Sequence, residues 1–217
     1  MTVQLTIDPL LRDRFPGLDA HLFGARDLDI RERDERLDSF ATLLVREFRE
    51  HLDLATLKDD PILRAYRDFY WRVGIDPTKI RPASEALLRR VLQGKDLPRI
   101  NTLVDAYNLA SMKTRTSIAA FDSDGIQGNL RMRLAREGEE FLGIGMTTPV
   151  VLRGIEVVVQ DADAVVAIYP YRDADITKVT TAVREVLFMT CGVPGISHES
   201  LIEAAETTSE FVERFCR

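Results

Sequence analysis

The spacing of hydrophobic residues changes along this chain, and the changes predict its elements. Residues 3–7 alternate apolar and polar side chains, the period of a half-buried strand, and Asp8-Pro9 closes the run. A second short strand is expected after Pro16-Gly17, over residues 18–25. Residues 27–36 are so dense in charge that an exposed connector is expected. Leu37, Phe40, Ala41, Leu44, Phe48 and Leu52 then recur at helical spacing with charged residues between them. Asp60-Pro61 opens a second helix carried by Ile62, Tyr66, Phe69 and Val73, with Gly74 at its end. Ser84 is a candidate cap for a helix over residues 85–92, and a further helix follows Pro98.

Beyond residue 114 the pattern becomes β-like. Residues 117–121 and 130–134 read as strands joined by a turn over 122–128. Gly138, Gly143 and Gly145 punctuate a loop, and residues 155–159 and 165–168 form a hairpin around Asp161-Ala162-Asp163. Residues 183–193 are ambiguous, and their β-branched content favours a strand. A last helix opens at Ser197 or Ser200, with Leu201, Ala205, Val212 and Phe215 inward. Helices come first, then a run of strands, then one closing helix. That order predicts an α+β fold, in one domain over residues 1–217, with a mainly helical part (about 36–113) and a β-rich part (about 114–195).

Composition adds bounds. A chain of 217 residues, 45% hydrophobic and 29% charged, can bury a substantial core. It contains no apolar run near the ~20 residues of a membrane span and no secretory signal pattern. Cys191 and Cys216 form neither a metal-spaced pair nor a disulfide framework, so a cytoplasmic protein is expected. The net charge of −6 argues against a general DNA-coating role. Residues 60–136 nevertheless hold 14 Lys/Arg against 8 Asp/Glu, with acidic flanks on both sides. Such a basic centre suits an anionic partner, and a mixed solvated surface accounts for it equally well.

Candidate chemistry concentrates in residues 98–128. On a helical wheel Leu103, Val104 and Tyr107 lie within about 60° of Ile100, while Asn101, Asp105 and Asn108 form a second stripe roughly 115° away. Ser111, Lys113 and Thr114 follow in the next turn. These six polar residues are the candidate substrate-binding set. An exposed face with an ion pair and a capping Asn is the structural alternative. The aromatic group Tyr66, Phe69, Tyr70 and Trp71 sits beside Arg64, Arg67 and Arg72, but its i, i+3, i+4 spacing reads as core rather than a base-stacking platform. His21, His51 and His198 are isolated in sequence without metal-ligand spacing, so no metal or cofactor is expected. Glu137, Glu139 and Glu140 beside Gly138 mark a turn.

Asn101, Val104-Asp105, Asn108, Ser111, Lys113-Thr114, Ile118, Ala120-Phe121-Asp122, Asp124 and Gly128 together resemble the B3/B4 domain of the phenylalanyl-tRNA synthetase β subunit. The likeness is greater to free-standing proteins built from that domain. It continues through Arg133, Glu137-Gly138-Glu139, Arg172, Asp175 and Thr177-Lys178-Val179, spanning about residues 72–187. The resemblance implies a β-rich, sandwich-like core flanked by helices, and a pocket that examines the aminoacyl end of tRNA. In the synthetase the domain hydrolyses tRNA wrongly charged with tyrosine. Such proofreading positions a water and stabilises an oxyanion with amides and neutral polar groups. No Cys–His or Ser–His pair signals a covalent mechanism.

Three departures stand out. Ser117 and Ala119 occupy the positions of a Pro and a His in the synthetase form. The glycine-rich pocket loop corresponds to residues 167–172, which include Tyr169 and Tyr171. Met189 falls near the acid that reads the tyrosine hydroxyl, so a preference for a phenol is not expected here. The resulting expectation is an RNA-binding protein that recognises tRNA or aminoacyl-tRNA, with hydrolysis of mischarged aminoacyl-tRNA in trans as its enzymatic form and no catalytic residue assigned. The alternative is a non-catalytic small-ligand or protein-interaction domain that kept the fold.

Overall fold

A computed structural model describes residues 3–217. The chain runs through β1 (Leu5–Ile7), α1 (Pro9–Arg14), β2 (Asp19–Ala25), α2 (Glu35–His51), α3 (Pro61–Arg72), α4 (Ala83–Leu92) and α5 (Thr102–Thr114). It continues with β3 (Ser117–Asp122), β4 (Leu130–Leu134), β5 (Glu137–Phe141), β6 (Val150–Arg153), β7 (Val157–Gln160), β8 (Val165–Ile168), β9 (Arg172–Asp173), β10 (Val186–Gly192) and α6 (His198–Phe215). This is the α+β order that the periodicity predicts.

The strands form three sheets: β1-β4-β7-β8-β9, β2-β10-β3 and β5-β6. Their stacking follows from the two-residue alternation of side chains. On β10, Val186 and Phe188 enter the core shared with α2, α4, α5 and α6, while Leu187, Met189 and Cys191 enter the core shared with the five-stranded sheet. Every residue of β10 is buried. On β7, Val157 and Val159 face that same inter-sheet core, whereas Val158 faces Phe141 and Leu152 of the β5-β6 sheet. A helical layer, a three-stranded sheet, a five-stranded sheet and a small outer sheet are thus stacked in order.

Local chemistry sets the helix starts. Asp34 accepts from the amides of Arg36 and Leu37 at 2.8 and 3.2 Å, and Asp60 accepts from Ile62 and Leu63 at 3.0 and 3.1 Å. Ser197 caps α6. Asp8-Pro9, expected to end a strand, also starts α1: Asp8 caps it and Pro9 occupies the first turn. Ser84 does not cap α4. Its hydroxyl is buried and donates to the Arg115 carbonyl at 2.7 Å, and Pro82 stands at the cap.

The strands expected over 117–121 and 130–134 form as β3 and β4, and the turn that joins them carries the chain from one sheet to the other. Two further expectations change. Residues 27–36 are not wholly exposed, because Leu28 and Ile30 insert into the helical-layer core. Residues 137–141 are strand β5 rather than a turn, held by Arg133, whose guanidinium meets the Glu139 carboxylate at 2.5 and 2.9 Å. That ion pair keeps the Glu139 acid below its ordinary range. The core reading of the aromatic group holds for Tyr66, Phe69 and Tyr70, which are buried, while Trp71 is 57% exposed. Among the described residues no helix is long and apolar enough to cross a membrane.

Candidate functional site

Helix α5 is the spine of the helical layer and is buried on most of its circumference, with Leu103, Ala106, Leu109, Ala110 and Met112 in the core. Its expected apolar stripe is displaced, since Ile100 lies 58% exposed just before the helix begins. Asn101 caps the helix by accepting from the Val104 amide at 2.9 Å. Asp105 reaches back to accept from the Ile100 amide at 3.0 Å, and burial raises its carboxyl above the ordinary value. Both side chains therefore hold the helix start. Asn101→Ala is expected to cost about 1 kcal/mol and lower the melting temperature by a few degrees, with ligand binding unchanged. Thermal unfolding beside a binding titration checks this.

The next turn is also internally occupied. Ser111 Oγ donates to the Thr116 carbonyl at 2.6 Å, and Thr114 Oγ1 donates to the Ala110 carbonyl at 2.9 Å. Lys113 is exposed, with its ammonium 5.5 Å from the Phe211 ring of α6. Arg115 ends the helix in the left-handed region at φ 63°, and its guanidinium donates to the Lys113 carbonyl at 2.5 Å.

Asn108 alone of the six candidates lines a cavity of about 170 Å³ where α5, β3 and the β8–β9 turn meet. The other five lie elsewhere, as just described. The cavity wall holds three polar groups whose chemistry stands out. Ser117, only 2% exposed, has a buried Oγ without a hydrogen-bond partner. Asp173 Oδ2 accepts from the Ala120 amide, on the open edge of β3, at 3.3 Å. Asp173 is half-buried, and the loss of hydration in this wall pushes its carboxyl from the ordinary 3.8 up to about 7. Tyr107 is likewise raised by burial and by the nearby Asp173.

Neighbouring groups shape this wall. The Tyr66 hydroxyl donates to the Cys191 carbonyl and accepts from the Ser117 amide at 2.9 Å. Ser117 and Cys191 are cross-strand partners, so the phenol fills the ladder where β3 and β10 separate. Tyr169 is fully buried, its hydroxyl 2.8 Å from the carbonyls of both Asp19 and Gly192. Arg172 directs its guanidinium outward, to the Ile144 carbonyl at 2.8 Å and the Tyr171 hydroxyl at 3.2 Å. Its stem crosses Gly143, where an added Cβ would lie 2.3 Å from Cδ. The tyrosines of the 167–172 loop thus narrow the cavity without filling it.

A larger, open groove of about 810 Å³ runs between the edges of β1 and β2. Of its charged residues, Arg26 and Glu185 are paired with each other at 2.9 Å, and Asp124 is the third. His21 and His198, distant in sequence, come together with ring centroids 6.0 Å apart, and Asp19 lies 2.7 Å from His198 Nδ1. Among the described residues no group of three or more His, Cys, Asp or Glu side chains is arranged to hold a metal ion. The basic centre is partly neutralised by its flanks, through Arg99–Asp38, Arg131–Asp8 and Arg133–Glu139.

A helical layer on a stack of sheets, with a cavity of about 170 Å³ between α5, β3 and the β8–β9 turn, defines the class of fold. The B3/4 domain family matches residues 65–217, and the chain belongs to it. It is similar to the phenylalanine–tRNA ligase β subunit of Bartonella henselae, 41% identical over 58 residues that make up 27% of this chain and 7% of that protein. The fold is also similar to an N-terminal fragment of the phenylalanyl-tRNA synthetase β subunit from Pyrococcus horikoshii, with a TM-score of 0.51 and 14% identity. That alignment covers 99% of this chain and 49% of the fragment. The chain therefore spans about half of the solved fragment and a small part of the curated relative.

Proposed function

We propose that the cavity beside Asn108 receives the aminoacyl end of a tRNA, and that the chain acts on mischarged aminoacyl-tRNA in trans. The observation that carries this reading is a cavity of about 170 Å³, lined by the unpartnered Ser117 hydroxyl and the Asn108 amide, inside a B3/4 domain. The volume suits an amino-acid side chain rather than a nucleobase with its sugar. An aminoacyl ester is activated, so hydrolysis requires a positioned water and donors for the developing oxyanion rather than a strong nucleophile. The Asn108 amide and the outer edge of β3 offer such donors. Asn101, Asp105, Ser111 and Thr114 support this wall by fixing the two ends of α5, and Lys113 is left for the RNA backbone.

Deacylation of a panel of tRNAs, each carrying one amino acid, tests the reading. Release of at least one amino acid above the spontaneous rate is expected. Asn108→Ala should lower that rate about 100-fold with no change in melting temperature. Unfolding of the variant would instead make Asn108 a structural residue. A second reading, binding without turnover, is favoured by Ala119, which leaves the floor of the cavity without an imidazole. Saturable, salt-sensitive tRNA binding with no deacylation would establish it. Absence of both binding and turnover would overturn both readings.

A further inference from the structure

The cavity lining carries the acceptors Asp173 and Ser117, and its one cationic residue, Arg172, is engaged elsewhere. Asp173 uses one carboxylate oxygen on the Ala120 amide, while the other has no partner among the described residues. Arg172, its neighbour in sequence, is turned away onto Ile144 and Tyr171. The titratable groups facing the carboxylate from adjoining elements are Tyr107 of α5 and Cys191 of β10, and burial keeps both protonated and neutral. Ser117 Oγ lies in the same cavity, buried and without a partner. A half-buried carboxylate is costly to keep charged unless a positive charge meets it, and Arg172, the cationic residue of the lining, is bonded elsewhere.

We propose that this end of the cavity binds a protonated amine of the ligand, with Asp173 as its counter-charge and Ser117 Oγ as a second acceptor. An ammonium carries three N–H donors and no acceptor, the complement of what the wall leaves unsatisfied. The Tyr107 and Tyr171 side chains border the same space and suit a cation beside aromatic rings. For its source the inference rests on the reading above: in an aminoacyl-tRNA the amine is the α-amine beside the ester, or the side-chain amine of a basic amino acid. Asp173 is thereby assigned to ligand recognition, and no bond is made or broken by it.

Calorimetric titration of the full chain near neutral pH tests this with uncleavable, amide-linked 3′-aminoacylamino-3′-deoxyadenosines. The alanyl conjugate should bind at least ten-fold more tightly than its N-acetyl derivative. Asp173→Asn should erase that difference while leaving the acetylated form unaffected, and Ser117→Ala should reduce it several-fold. Asparagine keeps the size of the side chain and an acceptor for the Ala120 amide, and thermal unfolding verifies that both variants fold. An Nα-acetyl-lysyl conjugate that regains Asp173-dependent affinity would support the proposal and place the amine on the side chain. Equal binding of free and acetylated forms, or undiminished binding by Asp173→Asn, would overturn it. If deacylation of charged tRNA persists in that case, the aminoacyl-end reading survives without an amine site. Asp173-dependent binding of propylamine, with no binding of any conjugate, would support the amine site and reject the aminoacyl-end reading. Failure of every probe to bind would overturn the amine proposal.

Discussion

Asp173→Asn is expected to stabilise the folded chain at pH 8 by roughly 2–4 kcal/mol and to change it little at pH 4. In the folded chain the Asp173 carboxyl is raised from 3.8 to about 7, because partial burial strips hydration from its charged form and only the bond from the Ala120 amide opposes this. Between those two values the folded state holds a proton that the unfolded chain has released. Stability therefore declines as pH rises from about 4 to 7 and stays at its lower level above. Asparagine retains the bond to the Ala120 amide and has no charge to desolvate, so its stability lacks this decline. Urea denaturation of both proteins at several pH values gives the difference directly. Equal midpoints across the range would show that Asp173 is solvated in the folded chain.

Tyr66→Phe is expected to cost about 2–4 kcal/mol, a large change for the loss of one oxygen. The phenol hydroxyl is fully buried and serves two backbone groups, the Cys191 carbonyl and the Ser117 amide. Phenylalanine fills the same space but leaves both unsatisfied in the inter-sheet core, where no water replaces the bond. Ser117 should loosen at the same time, so affinity for the cavity's ligand falls along with stability. Tyr70→Phe is the control: its hydroxyl is 3.5 Å from the Pro170 carbonyl, a marginal bond, and its removal should cost far less. Comparable losses for the two variants would deny Tyr66 its bridging role.

The legibility of the fold varied with how one-sided each element is. α2 and α3 bury one face and carry their own caps in Asp34 and Asp60, so periodicity and capping agree. The β7-β8 pair is marked by the Asp161 turn, whose carboxylate accepts from the amides of Asp163 and Ala164 at 2.8 Å. β10 lies between two cores and therefore shows no alternation, and only its β-branched residues point to a strand. α1, with six residues, is too short for a period, and β5 carries three glutamates because most of it is exposed.

The site was less legible than the fold. Asn101 and Asp105 have the polarity and spacing of a binding stripe, yet a helix start buried in a core needs the same groups. Asn108 shares their stripe and, lying further along the helix, is free of that duty. Asp173 is one acid among many in a linear reading. Its isolation from cations appears only when β9 is folded against β3. The available signal was its position, directly after the 167–172 loop that resembles the family's pocket. Ser117 was visible as a departure from the family pattern, and its unpartnered hydroxyl emerged only from the packing around it.

The N-terminal strands bear on where this fold can be cut. Family likeness starts at residue 65, but β1 borders β4 in one sheet and β2 covers the full length of β10 in the other. A fragment trimmed to the matched region would leave β10, apolar on both faces, with a naked hydrogen-bonding edge. It would also strip α2 from the helical layer. For recombinant work the usable unit is therefore wider than the region of sequence likeness. The described residues before it, 3–64, act as the edge protection of a scaffold whose recognisable part cannot close its own sheets.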